Sequence, residues 1–415
     1  MRRAWGALGR HARDVVPPGP EGLVWWLTLL ASVGVTAVIP LLPLYAEESG
    51  ADLHAIGLMA AAYLVTNLLF LYAAGRLSDR VGRRPLMGVG LVTYALCSLG
   101  FVLWTTPTGF ITLRALEGVA AACFLPAALA YVADRYPGSE RGLRISQLAM
   151  AENLGLLLGP AFGGAVKTFF GMPALFVLLT AMCVVGALLV ARLPHVALVE
   201  EVVAAPAAGG RGPMARLQEA LAPWRATRRV LLAGVWARAT AGGFAFGLYL
   251  TAWPLFMRTL GASDWDVSLS WTMFAVPALV FGPFAGRLID SRGPERLTVW
   301  GAAFSAVVVG SYAFAGSVAA LLALCMLEGI GFAFSYPAQN TLVVQCAPEA
   351  LRGRVIGLIT GGRTLGTLVG ALATPTLYGM SPLHAFGATS VVCLLGAALL
   401  GLALAVERRS RTAAA

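Results

Sequence analysis

Gly75-Arg76-Leu77-Ser78-Asp79-Arg80-Val81-Gly82-Arg83-Arg84-Pro85 returns, at a constant shift of 211 residues, as Gly286-Arg287-Leu288-Ile289-Asp290-Ser291-Arg292-Gly293-Pro294-Glu295. The correspondence runs without a gap from residues 75–159 to residues 286–370. Leu116-Glu117-Gly118 meets Leu327-Glu328-Gly329, Pro126 meets Pro337, and Pro137 meets Pro348. Arg141-Gly142 meets Arg352-Gly353, while Gly155 and Gly159 meet Gly366 and Gly370. A repeat this long is not a short solenoid unit. It describes a chain made of two related halves of about 200 residues each.

Composition puts both halves in a membrane. The chain is 58% hydrophobic and 12% charged, whereas soluble domains carry roughly 25% charged residues. Apolar stretches near the ~20 residues needed to cross a bilayer recur along it. Twelve are predicted: 22–45, 55–75, 86–105, 109–133, 143–166, 172–192, 230–256, 267–286, 297–316, 318–345, 355–378 and 382–405. Divided by the repeat they form six plus six, an all-α polytopic membrane protein with two pseudo-symmetric bundles. The expected layout is a tail (1–21), an N-terminal bundle (22–192), a linker (193–229), a C-terminal bundle (230–406) and a second tail (407–415). The linker holds an Ala/Gly/Pro-rich run and then Met214 to Leu221, which suits a short amphipathic surface helix.

The net charge of +10 follows the loops. With a cytoplasmic N-terminus, 25 of the 30 basic residues fall on the cytoplasmic side and only Lys167 and Arg258 on the other. This positive-inside bias predicts a multi-pass protein of the cell membrane with both termini cytoplasmic. The basic excess is therefore topology, and no nucleic-acid partner is expected. The six cysteines are spread without paired spacing, as small buried hydrophobes.

The first copy of the repeated loop resembles the Gly-x-Leu-x-Asp-Arg-x-Gly-Arg-Arg motif of the major facilitator superfamily. The resemblance implies a conformational latch on the cytoplasmic side built from Gly75, Asp79, Gly82, Arg83 and Arg84, with Asp290 in the second copy. It implies that Asp79 docks near the start of the eleventh span, around Arg354, and that Arg83 meets an acid such as Asp134. The second copy departs from the motif at Ser291, Pro294 and Glu295. In the fifth span, Gly155, Gly159, Pro160, Gly163 and Gly164 form a smooth stripe that permits close helix packing. This segment resembles the antiporter motif of the superfamily's drug:proton exporters, with Ser146 where the longer motif has a glycine. In the fourth span, Arg114-Ala-Leu-Glu117-Gly118 resembles the family's Arg-x-x-x-Gly motif, whose arginine is implicated in proton movement.

Three acids (Glu117, Glu152, Glu328) and three arginines (Arg114, Arg238, Arg363) fall in the interior of the spans, away from their ends. Intramembrane ionisable residues are expensive and mark function or internal pairing. Arg114 and Glu117 share a helix face at i, i+3 and suit a simple ion pair. Glu152 and Arg363 are repeat mates, each roughly 15 Å along its helix from the cytoplasmic end. Glu152 is the leading expected proton carrier, with Glu117 and Glu328 behind it; a fixed ion pair is the competing reading. The resemblance implies that spans 1, 4, 7 and 10 line a substrate cavity. Candidate contacts there are Arg238, Phe246, Tyr249 and Trp253 in span 7, and Tyr336, Gln339 and Asn340 in span 10.

The expected function is proton-coupled export of small amphipathic molecules or drugs by alternating access. The alternative is a sugar, amino-acid or other metabolite transporter, working as exporter or symporter. A membrane enzyme is disfavoured because His11, His54 and His195 lie outside the spans, His384 lies at the very end of one, and no His-Glu-x-x-His or phosphate loop occurs. Expected partners are therefore a small-molecule substrate, protons and the lipid bilayer, with no cofactor or metal. Both halves lie in one chain, so a monomer is the expected working unit.

Overall fold

A computed structural model describes residues 19–136, 138–194, 228–347 and 351–414. The N-terminal tail, most of the linker with its expected helix at 214–221, Pro137 and Pro348 lie outside the described residues. Backbone polar groups in hydrocarbon must bond within their own segment, and the described residues are accordingly helical. In chain order the helices are α1 (Pro20–Val38), α2 (Leu42–Glu48), α3 (Leu53–Val81), α4 (Arg83–Leu103), α5 (Pro107–Arg135) and α6 (Gly138–Val190). The second half supplies α7 (Arg229–Leu250), α8 (Ala252–Thr259), α9 (Asp264–Arg292), α10 (Pro294–Ser311), α11 (Val318–Cys346), α12 (Arg352–Met380) and α13 (Pro382–Ala414). A 3-10 turn, Tyr312–Phe314, follows α10.

Ten of the described helices are long and apolar enough to cross a membrane, and the bent pair α1–α2 adds another span. The 53-residue α6 breaks at Gly171 (φ 81°, ψ 169°), so it holds two spans, and the total reaches twelve. The expected twelve segments are all present, but two of them are interrupted. Span 1 bends by 41° between α1 and α2, with Pro40 in the break and Pro43 in the first turn of α2, and span 7 breaks between α7 and α8. Large apolar side chains such as Leu103, Leu188, Trp300, Val307, Leu395 and Leu402 stand exposed along the spans. That much exposed apolar surface fits a lipid solvent and not an aqueous one.

The chain divides into two compact units, Met1–Ala51 with Ala62–Ala207 and Asp52–Ala61 with Ala208–Ala415. Within each, close helix contacts recur at the shift of 211. A methyl group on Gly159 of α6 would come within 2.8 Å of the Val33 carbonyl oxygen in α1. Its mate Gly370 of α12 meets Phe244 of α7, the mate of Val33, with 2.9 Å to the carbonyl carbon. Gly90 of α4 would approach the Ala120 oxygen at 3.0 Å, and Gly301 of α10 the Gly331 oxygen at 2.9 Å. Gly118 packs on the Tyr63 carbonyl, and Gly329 on that of Phe274. Three backbone-to-backbone seams are thus built twice from matching positions.

The fifth-span stripe works in this way. Gly155, Gly159 and Gly163 all face α1, and the Thr36 hydroxyl donates to the Gly155 carbonyl at 2.8 Å. Pro160 and Gly164 are buried beside them. The eleventh span keeps glycine at only two of the stripe's positions, Gly366 and Gly370, yet α12 sits as close to α7 because Gly243 and Gly247 supply small residues from the opposite side. The sequence asymmetry of the stripe does not become an asymmetry of packing.

Candidate functional site

Gly82 joins α3 to α4 at φ 94°, and its mate Gly293 joins α9 to α10 at φ 78°. Side chains rarely adopt such angles, so glycine is required at both turns. The first turn delivers Arg83 into a bracket. Its Nε donates to Asp134 of α5 at 2.9 Å, and its Nη1 pairs with Asp79 in the last turn of α3 and also reaches the Ser78 hydroxyl at 3.2 Å. Arg83 is buried while Asp79 is exposed. Arg84 donates to the Ala191 carbonyl. Gly75 lies within α3. In the second copy Pro294 stands where Arg83 does and Gln345 where Asp134 does, and Asp290 is exposed. The second turn keeps its backbone form without the charged bracket.

The two repeat-mate carboxyls, Glu117 and Glu328, are both buried, and their surroundings differ. In the N-terminal unit Arg114 Nη1 donates to Glu117 Oε2 at 2.6 Å. The guanidinium lies 4.2 Å from the centre of the Tyr63 ring, and the Tyr63 and Tyr94 hydroxyls are hydrogen-bonded. The pair lines a cavity of about 40 Å³ with Ser98, Leu179 and Cys183. Here each charge has its opposite.

In the C-terminal unit the position matching Arg114 is Cys325, that matching Tyr63 is Phe274, and that matching Tyr94 is Ser305. The cation is gone. Glu328 Oε2 instead accepts two hydrogen bonds, from the Tyr249 hydroxyl at 2.5 Å and the Tyr312 hydroxyl at 2.7 Å. The matching N-terminal positions are Val38 and Phe101, so both phenols are particular to this half. A cavity of about 40 Å³ opens beside the carboxyl, walled by Trp253, Ser270, Trp271, Phe274 and Cys325. Trp253 Nε1 donates to Ser270 Oγ at 3.0 Å, which itself donates to the Val267 carbonyl at 2.7 Å. Among the described residues no cation pairs with Glu328. Such a carboxyl can take up or give up a proton without breaking an ion pair, while the two phenols compensate its charged form.

The remaining expected residues are placed as follows. Glu152 is half-buried on the first part of α6, and Arg363 is exposed on α12. Arg238 lies close to Cys393 of α13; its Nε is buried without a hydrogen-bond partner, and a Cβ on Gly242 would stand 2.7 Å from its Nη1. Phe246, Tyr249 and Trp253 do not share one continuous helical face, because α7 ends at Leu250. Phe246 is exposed with its ring 6.0 Å from Trp271, whereas Trp253 is fully buried and 4.7 Å from the Tyr312 ring. Tyr336 stacks on Phe332, Gln339 is buried and Asn340 is exposed. Tyr312 was not anticipated from the sequence. Its signal is the change from Phe101 to Tyr312 across the repeat, accompanying the change from Arg114 to Cys325.

Comparison with known proteins places this arrangement in a family. The Major Facilitator Superfamily profile matches the chain twice, over residues 24–269 and 235–415. The multidrug resistance protein MdtG of Enterobacter lignolyticus is 26% identical over 398 residues, covering 92% of this chain and 91% of that one. The staphyloferrin B transporter of Staphylococcus aureus is 23% identical, covering 85% of this chain and 84% of its own. Among solved structures, a bacterial homolog of the human lysosomal transporter Spinster superposes with a TM-score of 0.75 at 15% identity, covering 92% of this chain and 96% of that one. A D-xylose–proton symporter gives 0.70 at 16% identity, covering 92% and 95%. With the profile spanning both halves and twelve spans arranged six and six, the chain belongs to the Major Facilitator Superfamily of membrane transporters.

Proposed function

We propose that this transporter exports small amphipathic molecules in exchange for protons, by alternating access, with Glu328 as the group that carries the proton. The observation behind this reading is the contrast between the two halves. Glu117 is neutralised by Arg114 at 2.6 Å, whereas Glu328 is held by two phenols beside a cavity and has no cation among the described residues. A fixed ion pair resists a change of protonation; a carboxyl with neutral donors accommodates one. First place among the proton carriers therefore passes from Glu152 to Glu328, with Glu152 second and the Arg114–Glu117 pair structural.

Export of amphipathic compounds is supported by the relatives named as multidrug resistance proteins. In the same reading Arg83, bracketed by Asp79 and Asp134, stiffens the cytoplasmic end of the N-terminal unit as part of the latch. Both termini are cytoplasmic on the strength of the loop charges.

The test uses purified protein in proteoliposomes loaded with a pH dye. A proton gradient is imposed, lipophilic cations, neutral drugs, sugars and amino acids are added in turn, and proton movement evoked by each is recorded. A drug response that Glu328→Gln abolishes is expected. Full coupling in Glu328→Gln, with loss in Glu152→Gln, returns the proton to Glu152. Silence with drugs and a response to a sugar or amino acid replaces the export reading with metabolite transport.

A further inference from the structure

We propose that Tyr249 and Tyr312 are positioning residues of the proton site, and that their bonds to Glu328 make the break in span 7 follow the protonation of that carboxyl. The proposal rests on the reading of Glu328 as the proton carrier. Both phenols stand where a helix stops. Tyr249 is the penultimate residue of α7, and the backbone then breaks at Thr251 (φ −129°, ψ −74°) before α8 begins. Tyr312 opens the 3-10 turn that ends span 9. Glu328, by contrast, sits well inside the 29-residue α11. One oxygen of a firmly held side chain therefore ties together two points of weakness in the backbone.

The ties extend beyond the carboxyl. Thr251, at the break, donates to the Gly247 carbonyl at 2.8 Å and shares a hydrogen bond with Thr374 of α12 at 2.9 Å. Trp253, in the first turn of α8, is bonded to Ser270 of α9 and packs on the Tyr312 ring. Movement of Tyr249 or Tyr312 is thereby felt in α8, α9 and α12. The titratable groups facing Glu328 are Tyr249 of α7, Tyr312 of the 3-10 turn, Cys325 of α11 and Cys393 of α13, with Arg238 of α7 close to Cys393. From α9 come Ser270, Trp271 and Phe274, and no charge. From α10 the Ser305 hydroxyl reaches only the Glu328 main-chain carbonyl, at 3.4 Å.

An ionised acceptor holds a hydrogen bond about twice as strongly as a neutral one. With Glu328 charged, both phenols are drawn onto Oε2 and the break is pinned. With Glu328 protonated, the bonds weaken and the break is released. The proton thus acts on the shape of span 7 through two hydroxyl groups.

The experiment uses full-length Tyr249→Phe, Tyr312→Phe and the double variant in proteoliposomes, with the pH profile of substrate-evoked proton release as readout. Each loss removes a donor from the charged form, so each is expected to move the profile to more alkaline pH by about half a unit or more, and the double further. Hydrogen exchange of residues 247–256 gives a second readout that does not need transport. Protection from exchange, corrected for the intrinsic rate, is expected to fall in Glu328→Gln and in the double tyrosine variant, and to become independent of pH in both. An unmoved pH profile or unchanged exchange in the tyrosine variants, with Glu328→Gln uncoupled, overturns the clamp alone. Full coupling in Glu328→Gln overturns the reading beneath it.

Discussion

Replacing Arg114 by methionine while Glu117 remains strands an anion inside the N-terminal unit. The side chains are 11% and 10% exposed, and nitrogen and oxygen are 2.6 Å apart. Two charges ~4 Å apart at an effective dielectric near 20 attract by about 4 kcal/mol. Desolvation of each ion offsets much of this while the pair is intact, and that offset decides the outcome of the mutations. Breaking one side leaves the desolvation of Glu117 uncompensated, so Arg114→Met is expected to cost about 3–5 kcal/mol. Loss of the contact with the Tyr63 face adds about 0.5–2 kcal/mol. Because a stranded carboxyl is relieved by protonation, this loss shrinks as pH falls. Arg114→Met/Glu117→Met removes both charges and is expected to recover most of the stability. The assay is a double-mutant cycle on purified protein in detergent, by denaturant unfolding followed through tryptophan fluorescence. A single variant within about 1 kcal/mol of the parent, or a double as unstable as the two singles summed, refutes mutual compensation. The double variant should also keep substrate-evoked proton release. If it loses coupling while Glu328→Gln keeps it, the roles of the two halves are the reverse of those assigned.

The turn at Gly82 should be sensitive to its backbone angle and indifferent to the space around it: at φ 94°, Gly82→Ala is expected to lower stability by about 1–2 kcal/mol. Gly88→Ala in α4, where no atom lies within 4 Å, is the control and should be neutral or stabilising by up to about 1 kcal/mol in the same unfolding assay. Arg83→Met leaves Asp134 without its donor and should lower stability by about 1.5–3 kcal/mol. Arg83→Lys should recover only part of that, since one ammonium does not reproduce the fork that reaches both Asp79 and Asp134.

Apolar runs made the twelve spans legible, and the repeat divided them into six and six. The Arg83–Asp134 contact and the Arg114–Glu117 pair were legible for different reasons. The first followed from a motif with a known geometry, and the second from residues three apart on one helix. The break in span 7 was harder to read. Tyr249 and Trp253 appear to share a face only if the helix continues, yet Pro254 removes the bond to the Leu250 carbonyl and its ring clashes there. The same cue was present at Pro40 and Pro43. Other prolines, such as Pro126 and Pro337, stay inside unbroken helices, so the residue type alone does not distinguish the cases. The partners of Glu328 were beyond sequence reading because Tyr249 is 79 residues away and Tyr312 is 16 away, on separate helices. Aligning the halves for differences as well as matches would have found them.

The seams between helices recur in both halves, whereas the groups around the two carboxyls do not. All the residues described around Glu328 come from the C-terminal unit. The repeat therefore holds one self-neutralised acid and one acid whose partners are phenols, on glycine contacts that recur in both halves. Substitutions in the N-terminal unit leave the residues described around Glu328 unchanged, so on the proposed reading the surroundings of the two acids can vary independently.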